Sequence, residues 1–226
     1  MNALVFGPQT ETLESLLPRY GITPVTEGQD VVICYGGDGS VLRAEYEYPG
    51  IPKLLLRNSR ICKLCAPLTN DEILERVASG RYGFRELMKL DVHANGRSLT
   101  AMNDIIVHNA DPRHGIRYHL YVDGKPVGGE IIGDGIVAAT PLGSTGYYRS
   151  ITDSFFTVGI GIAFNNSTEQ SDHMVSADTS IMKLMVVRGP AVVYADNQPA
   201  TIELSENDEV VIARSAATAR LITVEP

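Results

Sequence analysis

Positive charge and long apolar runs are both scarce in this chain. It has 226 residues, with 19 Lys and Arg against 27 Asp and Glu, a formal net charge of −8. That balance argues against general binding to nucleic acid or to acidic membrane surfaces, although it leaves room for a local basic pocket. No apolar stretch reaches the ~20 residues that a bilayer-spanning helix needs. The first residues, Met1 to Gly7, lack the charged n-region of a signal peptide and read as a strand, so a cytoplasmic protein is expected. Three cysteines cannot build a disulfide framework. Cys62 and Cys65 make a lone CxxC; a zinc site would need two more ligands, and neither a second CxxC nor an HxxxH is present. They are expected as small apolar residues packed in a core, and no resident metal ligands are assigned. His93, His108, His114, His119 and His173 are scattered without ligand spacing. There is no GxxxxGK[ST], which excludes a P-loop enzyme. No GxGxxG follows the first strand, and Gly159-Ile160-Gly161 lacks the third glycine, which argues against a hydride-transferring Rossmann enzyme. The GxSxG nucleophile elbow is missing too.

What is present has the hydrophobic content, 44%, of an ordinary globular protein, and length enough for one large or two small domains. The first part alternates strand and helix signals. Leu4 to Phe6, Val31 to Tyr35 and Lys53 to Leu56 are strand candidates. Thr10 could cap a short helix that carries Leu13, Leu16 and Leu17. Asn70-Asp71-Glu72 opens a second helix with Ile73, Leu74, Val77 and Ala78 as its buried face and Gly80 as its stop. Alternating strands and helices imply a parallel α/β layer. Near Gly80 the pattern changes. Phe84, Glu86, Met88, Leu90 and Val92 mark alternate positions of a strand, and Asn95-Gly96 and Asp123-Gly124 read as hairpin turns. Short apolar runs follow Ser150: Phe155 to Phe164, Leu184 to Val187, Val192 to Ala195, Thr201 to Leu204, Val210 to Ala213 and Leu221 to Val224. We therefore expect an N-terminal α/β domain with a Rossmann-like parallel sheet over residues 1–82, and a β-rich domain over 83–226 whose last residues can return to the first. No linker-like tract separates them, so a tight interface is expected.

Gly36-Gly37-Asp38-Gly39-Ser40 follows an apolar strand and precedes a helical segment, Val41 to Tyr48. That arrangement points backbone N–H groups at an anion, and the glycines are expected to supply close approach and positive φ. Asp38 is out of place in a loop that only holds phosphate. A carboxylate there points to a metal contact or to proton chemistry beside the phosphate. A second cluster runs from Gly133-Asp134-Gly135 through Thr140-Pro141-Leu142-Gly143-Ser144-Thr145-Gly146-Tyr147. Thr140, Ser144 and Thr145 can bond ribose or phosphate oxygens, Gly143 and Gly146 leave room, and Tyr147 offers an aromatic face and a phenol. The bland alternative is a tight turn that opens a helix, with Ser144 or Thr145 as its cap. A third piece, Asn103-Asp104, precedes the strand Ile105-Ile106-Val107, and its amide and carboxylate could clamp a ribose diol or a base edge; a simple turn explains it as well. Arg113, His114 and Arg117 could meet phosphate, but exposed basic loops usually face water.

With these pieces in order, the chain resembles the NAD kinase family, whose pattern is GGDG[TS], then Asn-Glu, then Asp-Gly followed by TPTGSTAY. The likeness is specific from about Val31 to Ser150. Diacylglycerol kinases share GGDG but not the long second motif. The resemblance implies an NAD kinase/diacylglycerol kinase-like fold with the site between two domains. It implies phosphorylation of the adenosine-ribose 2′-hydroxyl of NAD by ATP or polyphosphate, with Mg²⁺ on the donor, in a homodimer or homotetramer. Asp38 would be the catalytic carboxylate, with Gly37 and Gly39 shaping the phosphate loop. Asn58, Asn103, Asp104 (in place of the family's Glu), Asp134, Thr140, Ser144, Thr145, Gly146 and Tyr147 would hold NAD or NADH. The departures concern substrate identity more than fold. The family's NxGxLGFL reads Asn58-Ser59-Arg60-Ile61-Cys62-Lys63-Leu64-Cys65, Leu142 replaces a hydroxyl, a Gly-Gly-Pro is missing after Ser150, the later Pro-His-Ser-Leu matches Asn165-Asn166-Ser167, and the late Asp-Gly-Gln turn reads Asp196-Asn197-Gln198. Two other readings stay open: a kinase of this fold acting on a different nucleotide, sugar or lipid hydroxyl, and a nucleotide-binding protein without catalysis.

Overall fold

The computed structural model describes residues 1–60, 62–168 and 172–225. The chain forms two compact units, one of Met1–Leu87 with Thr218–Pro226 and one of Met88–Ala217.

In the first unit, β1 (Asn2–Phe6), α1 (Glu11–Leu16), β2 (Thr23–Pro24), β3 (Val31–Gly36), α2 (Asp38–Glu47), β4 (Lys53–Arg57) and α3 (Asn70–Ala78) follow one another. The strands lie in the order β2-β1-β3-β4, all parallel. Val31, Val32, Ile33 and Cys34 are all buried, as expected of a central parallel strand covered on both faces. Thr69 caps α3 with a full capping box to Glu72, and Ile73, Leu74 and Val77 are its buried face. Its cap sits one residue before the expected start. Thr10 precedes α1 but its side chain makes no cap bond. On α2, Val41, Leu42 and Ala44 are buried, and buried Glu45 pairs with buried Lys53 of β4, whose Nζ also donates to the Tyr48 carbonyl at 2.6 Å. That pair fixes α2, and so the loop before it, against the sheet.

In the second unit the strands are β5 (Gly83–Ala94, which enters from the first unit), β6 (Arg97–Ala101), β7 (Asp104–Asn109), β8 (Ile116–Val122), β9 (Lys125–Gly133) and β10 (Gly135–Ala139). Then come α4 (Tyr147–Thr152), β11 (Ile160–Asn165), β12 (His173–Ser176), β13 (Met182–Arg188), β14 (Ala191–Ala195), β15 (Ile202–Leu204) and β16 (Glu209–Thr223). A six-stranded antiparallel sheet has the order β12-β11-β10-β7-β14-β15. The start of β16, β13, β8 and β9 form a second antiparallel run. Both hairpin turns are present, with positive φ at Asn95-Gly96 and Asp123-Gly124. One apolar cluster draws Leu90, Ile105, Val107, Tyr118, Leu120, Ile136, Leu184, Val193 and Val210 from both sets of strands. β16 leaves the second unit, and Leu221 near its end pairs in parallel with Lys53 of β4. The expected class, α/β followed by β-rich, is the one observed. No helix among the described residues is long and apolar enough to cross a membrane.

Candidate active site

The GGDG turn is tighter than expected. β3 ends at Gly36, Gly37 is the N-cap of α2 with φ −129°, and Asp38 is the first helical residue. None of Gly36, Gly37 and Gly39 has a positive φ, which corrects the expectation of left-handed glycines. The constraint is steric: a Cβ on Gly36 would lie 2.1 Å from Ser40 Oγ. Asp38 is half-buried, and its two carboxylate oxygens accept from Lys63 N and Leu64 N, each at 3.0 Å. The Asn58 amide donates to the Gly36 carbonyl at 2.9 Å, so the segment after β4 is tied to both ends of the turn. The stretch that departs most from the family pattern is thus the one that orients Asp38.

Cys62 and Cys65 of that stretch form a disulfide with Cα atoms 5.4 Å apart, so they are not the reduced core pair that was expected. The i, i+3 turn brings their Cα atoms within bridging range, whereas Cys34 is free and fully buried. Burial pushes the Cys34 thiol up to about 12. Cys62 Sγ lies 3.4 Å from Asp38 Oδ1; as half of a disulfide it has no proton to donate.

In the second unit Asn103 and Asp104 sit where β6 passes into β7, against the turn after β10. The Asn103 carbonyl accepts from Thr140 N at 2.8 Å, and Thr140 Oγ1 donates to the Met102 carbonyl at 2.7 Å while accepting from Gly143 N. A Cβ on Gly143 would lie 2.1 Å from the Asn103 carbonyl oxygen. Ser144 is fully buried, and its single O–H lies between the Pro141 and Phe156 carbonyls, 2.8 and 2.9 Å from Oγ, either of which can accept it. Thr140 and Ser144 therefore hold the turn together with hydroxyls committed inside the protein. Gly143–Thr145 is a 3-10 turn and Gly146 the N-cap of α4 without a side-chain cap bond. Thr145 and Tyr147 are half-buried and Gly146 is exposed.

Asp134 belongs to a neighbouring amide cluster. Asn109 Nδ2 and Asn166 Nδ2 donate to its two oxygens at 3.1 Å each. Asn165 Nδ2 donates to Tyr147 Oη at 3.0 Å and reaches His108 Nε2 at 3.2 Å. His108 Nδ1 lies 3.1 Å from the Asn109 carbonyl; a carbonyl only accepts, so Nδ1 carries the proton and Nε2 accepts from Asn165. His108 and Asn109 escaped the reading of side chains, and Asn165 was met only as part of the Asn165-Asn166-Ser167 segment, because each is an ordinary strand residue until the fold aligns β7, β10 and β11. Arg113 pairs with Asp111, whose carboxyl it holds below the usual range, and Arg117 pairs with Glu130. These basic residues already have partners in their own loop and hairpin.

Asp104 is 7% exposed. Burial, with the nearby Asp196 carboxylate, pushes it up to about 7, so it is not the plain anion expected of an aspartate. The unfolded chain loses this proton near ~4 while the folded chain keeps it to about 7. Over that window the unfolded state binds fewer protons, so the contribution of Asp104 to stability falls as pH rises and levels off above it. We expect Asp104→Asn to gain stability relative to the parent between pH 4 and 7, by no more than about 4 kcal/mol at ~1.4 kcal/mol per unit. Denaturant melts at pH 4.5 and 8 check this; a pH-independent difference would contradict it.

The model of the ATP-NAD kinase C-terminal domain matches residues 102–224, more than half of the chain. The chain belongs to the NAD kinase family. An NAD kinase from Methanosarcina mazei is 30% identical, with 88% of this chain and 71% of the relative covered. An NAD kinase from Shewanella loihica is 28% identical over 97% of this chain and 78% of its own length. The fold is shared with the crystal structure of an NAD kinase from Archaeoglobus fulgidus in complex with ATP, at TM-score 0.82, 21% identity, and coverage of 100% of this chain and 94% of that one. It is also shared with yeast NADH kinase complexed with NADH, at TM-score 0.86, 16% identity, and coverage of 100% and 84%. The family match takes in Asn103, Asp104, Asp134 and the Thr140–Tyr147 turn, while Asp38 and its loop lie before it.

Proposed function

We propose that this enzyme phosphorylates the 2′-hydroxyl of the adenosine ribose of NAD to give NADP, with Asp38 as the catalytic carboxylate. The observation that carries the reading is the family match over residues 102–224. The donor is ATP or polyphosphate as its Mg²⁺ complex. Mg²⁺ on the donor phosphates would offset their repulsion of the carboxylate.

Asp38 accepts the proton of the ribose hydroxyl as its oxygen attacks the terminal phosphorus. The bond from that phosphorus to the bridging oxygen breaks, and the shortened donor leaves with that electron pair. A carboxylate is a feeble base for an alcohol, so positioning supplies much of the rate. The bonds from Lys63 N and Leu64 N supply it at Asp38. Asn58, Asn103, Asp104, Asp134, Thr145, Gly146 and Tyr147 are assigned to the acceptor nucleotide, and Gly37 and Gly39 to phosphate.

A phosphate-transfer assay with labelled donor tests the reading. NAD and NADH are offered in turn beside a panel of nucleosides, sugars and a diacylglycerol, each with ATP and with polyphosphate. We expect transfer to the dinucleotides alone. Preferred transfer to another hydroxyl would support the alternative that Leu142 motivates, and tight NAD binding without any transfer would leave only a binding protein.

A further inference from the structure

Asp196 directly follows β14 and opens the turn that stands where the family has Asp-Gly-Gln; no role was assigned to it above, and its carboxylate faces inward. Oδ2 accepts from Met102 N at 2.7 Å, and Oδ1 accepts from Asn103 N at 2.7 Å and from Asp104 N at 3.1 Å. The Asp196 amide in turn donates to the Asp104 carbonyl at 3.0 Å. Three successive N–H groups that converge on one point form a concavity for an anion; here the protein fills it with its own side chain. Asp196 takes a left-handed φ of +47°, which a non-glycine residue adopts at a cost, and which places the carboxylate under the turn. Gln198, two residues on, donates from Nε2 to the Thr100 carbonyl at 2.6 Å, so the same loop also grips the end of β6.

These bonds have a consequence for the nucleotide site. The backbone held by Asp196 is the backbone from which the Asn103 and Asp104 side chains project. Its other side is held by the Thr140 turn, through the Met102 and Asn103 carbonyls. We propose that Asp196 is a positioning residue for the acceptor nucleotide: by gathering the amides of Met102, Asn103 and Asp104 it sets how the Asn103 and Asp104 side chains meet the ribose and base. The inference rests on the assignment of Asn103 and Asp104 to NAD made above.

Burial, the largest influence, raises the pKa of Asp196, and the three backbone bonds and then the buried Lys89 of β5 offset only part of it. Asp104 is the carboxylate that faces it.

The test is steady-state kinetics on Asp196→Asn and Asp196→Ala, with NAD and the donor varied separately, alongside thermal melts and amide NMR spectra. Asparagine keeps one acceptor oxygen and alanine keeps none. We expect KM for NAD to rise about tenfold in Asp196→Asn and about a hundredfold in Asp196→Ala. The KM for the donor should stay within about twofold and kcat within about threefold, and the amide signals of Met102, Asn103 and Asp104 should shift. In the Asp196→Ala background, Asp104→Asn should add far less to KM than it does in the parent, because the carboxylate is already misplaced. If Asp196→Ala fails to fold, Asp196→Asn with its conserved shape carries the comparison. An unmoved KM for NAD in a folded variant, or equal losses in both substrates and in kcat, overturns the role of Asp196 while leaving the NAD kinase reading intact. A parent protein that forms no phosphorylated NAD overturns that reading and this inference with it.

Discussion

Asp38→Asn is expected to lower kcat by about 10²–10⁴-fold, the usual worth of a positioned general base, while the protein still folds and binds NAD. The structure says why the fold survives. Asp38 is only half-buried, and its partners are the backbone amides of Lys63 and Leu64. An asparagine keeps one acceptor oxygen for one of them. The other amide then meets an NH₂ group, a loss of about 1 kcal/mol, or a fall of ~2–4 °C in melting temperature for a chain of this size. Single-turnover rates with saturating NAD and donor separate the chemical step from binding. Retained turnover in a folded Asp38→Asn protein would remove the base assignment.

Gly143→Ala is expected to damage the part of the nucleotide site that the second unit supplies. Its Cβ would fall 2.1 Å from the Asn103 carbonyl oxygen, 2.6 Å from that carbon and 2.9 Å from the Asn103 Cα. All three are backbone atoms, so no side chain can swing aside. Asn103 must move, and with it the Thr140 N to Asn103 O bond of 2.8 Å that holds the two segments together. Overpacking of this kind costs ~1–3 kcal/mol, and displacement of Asn103 and Asp104 should raise KM for NAD by about tenfold or more. Gly129→Ala is the control, because its Cβ would meet nothing within 4 Å. Melting curves and KM values for the two variants decide the matter; equal behaviour would show that the turn tolerates a side chain and does not set the position of Asn103.

Much of this architecture was legible because its signals are local. The dipeptides Asn95-Gly96 and Asp123-Gly124 need positive φ at both residues, and both have it. The face of α3 follows from the spacing of Ile73, Leu74 and Val77. β16 was not legible as one strand. Its apolar ends, Val210 to Ala213 and Leu221 to Thr223, flank a stretch around Arg214 and Ser215 that mixes exposed and buried positions, so a 15-residue strand reads as two. The run from Phe155 to Phe164 is strand only from Ile160, and Phe155 is exposed.

The site divides in the same way. Asp38 is conspicuous because a carboxylate in a glycine turn calls for a reason. The groups that hold it are main-chain amides of Lys63 and Leu64, and a main-chain donor leaves no mark in a sequence. The same holds for Asp196, whose partners are three amides more than ninety residues away. Hydroxyl-rich motifs are ambiguous for a related reason: residue type does not tell whether Thr140 and Ser144 face a ligand or the chain, and here their oxygens are engaged inside. The disulfide of Cys62 and Cys65 depends on the path of the loop between them, which the spacing alone does not fix.

The central claim is that this chain places a phosphate on the 2′-hydroxyl of NAD. The direct measurement is incubation with NAD, ATP or polyphosphate, and Mg²⁺, with the product read by a dehydrogenase that accepts NADP and not NAD. The account predicts a dehydrogenase signal that depends on the donor and is lost in Asp38→Asn. Consumption of donor with phosphorylated product that the dehydrogenase does not accept, or no signal from folded parent protein with either donor, would contradict it.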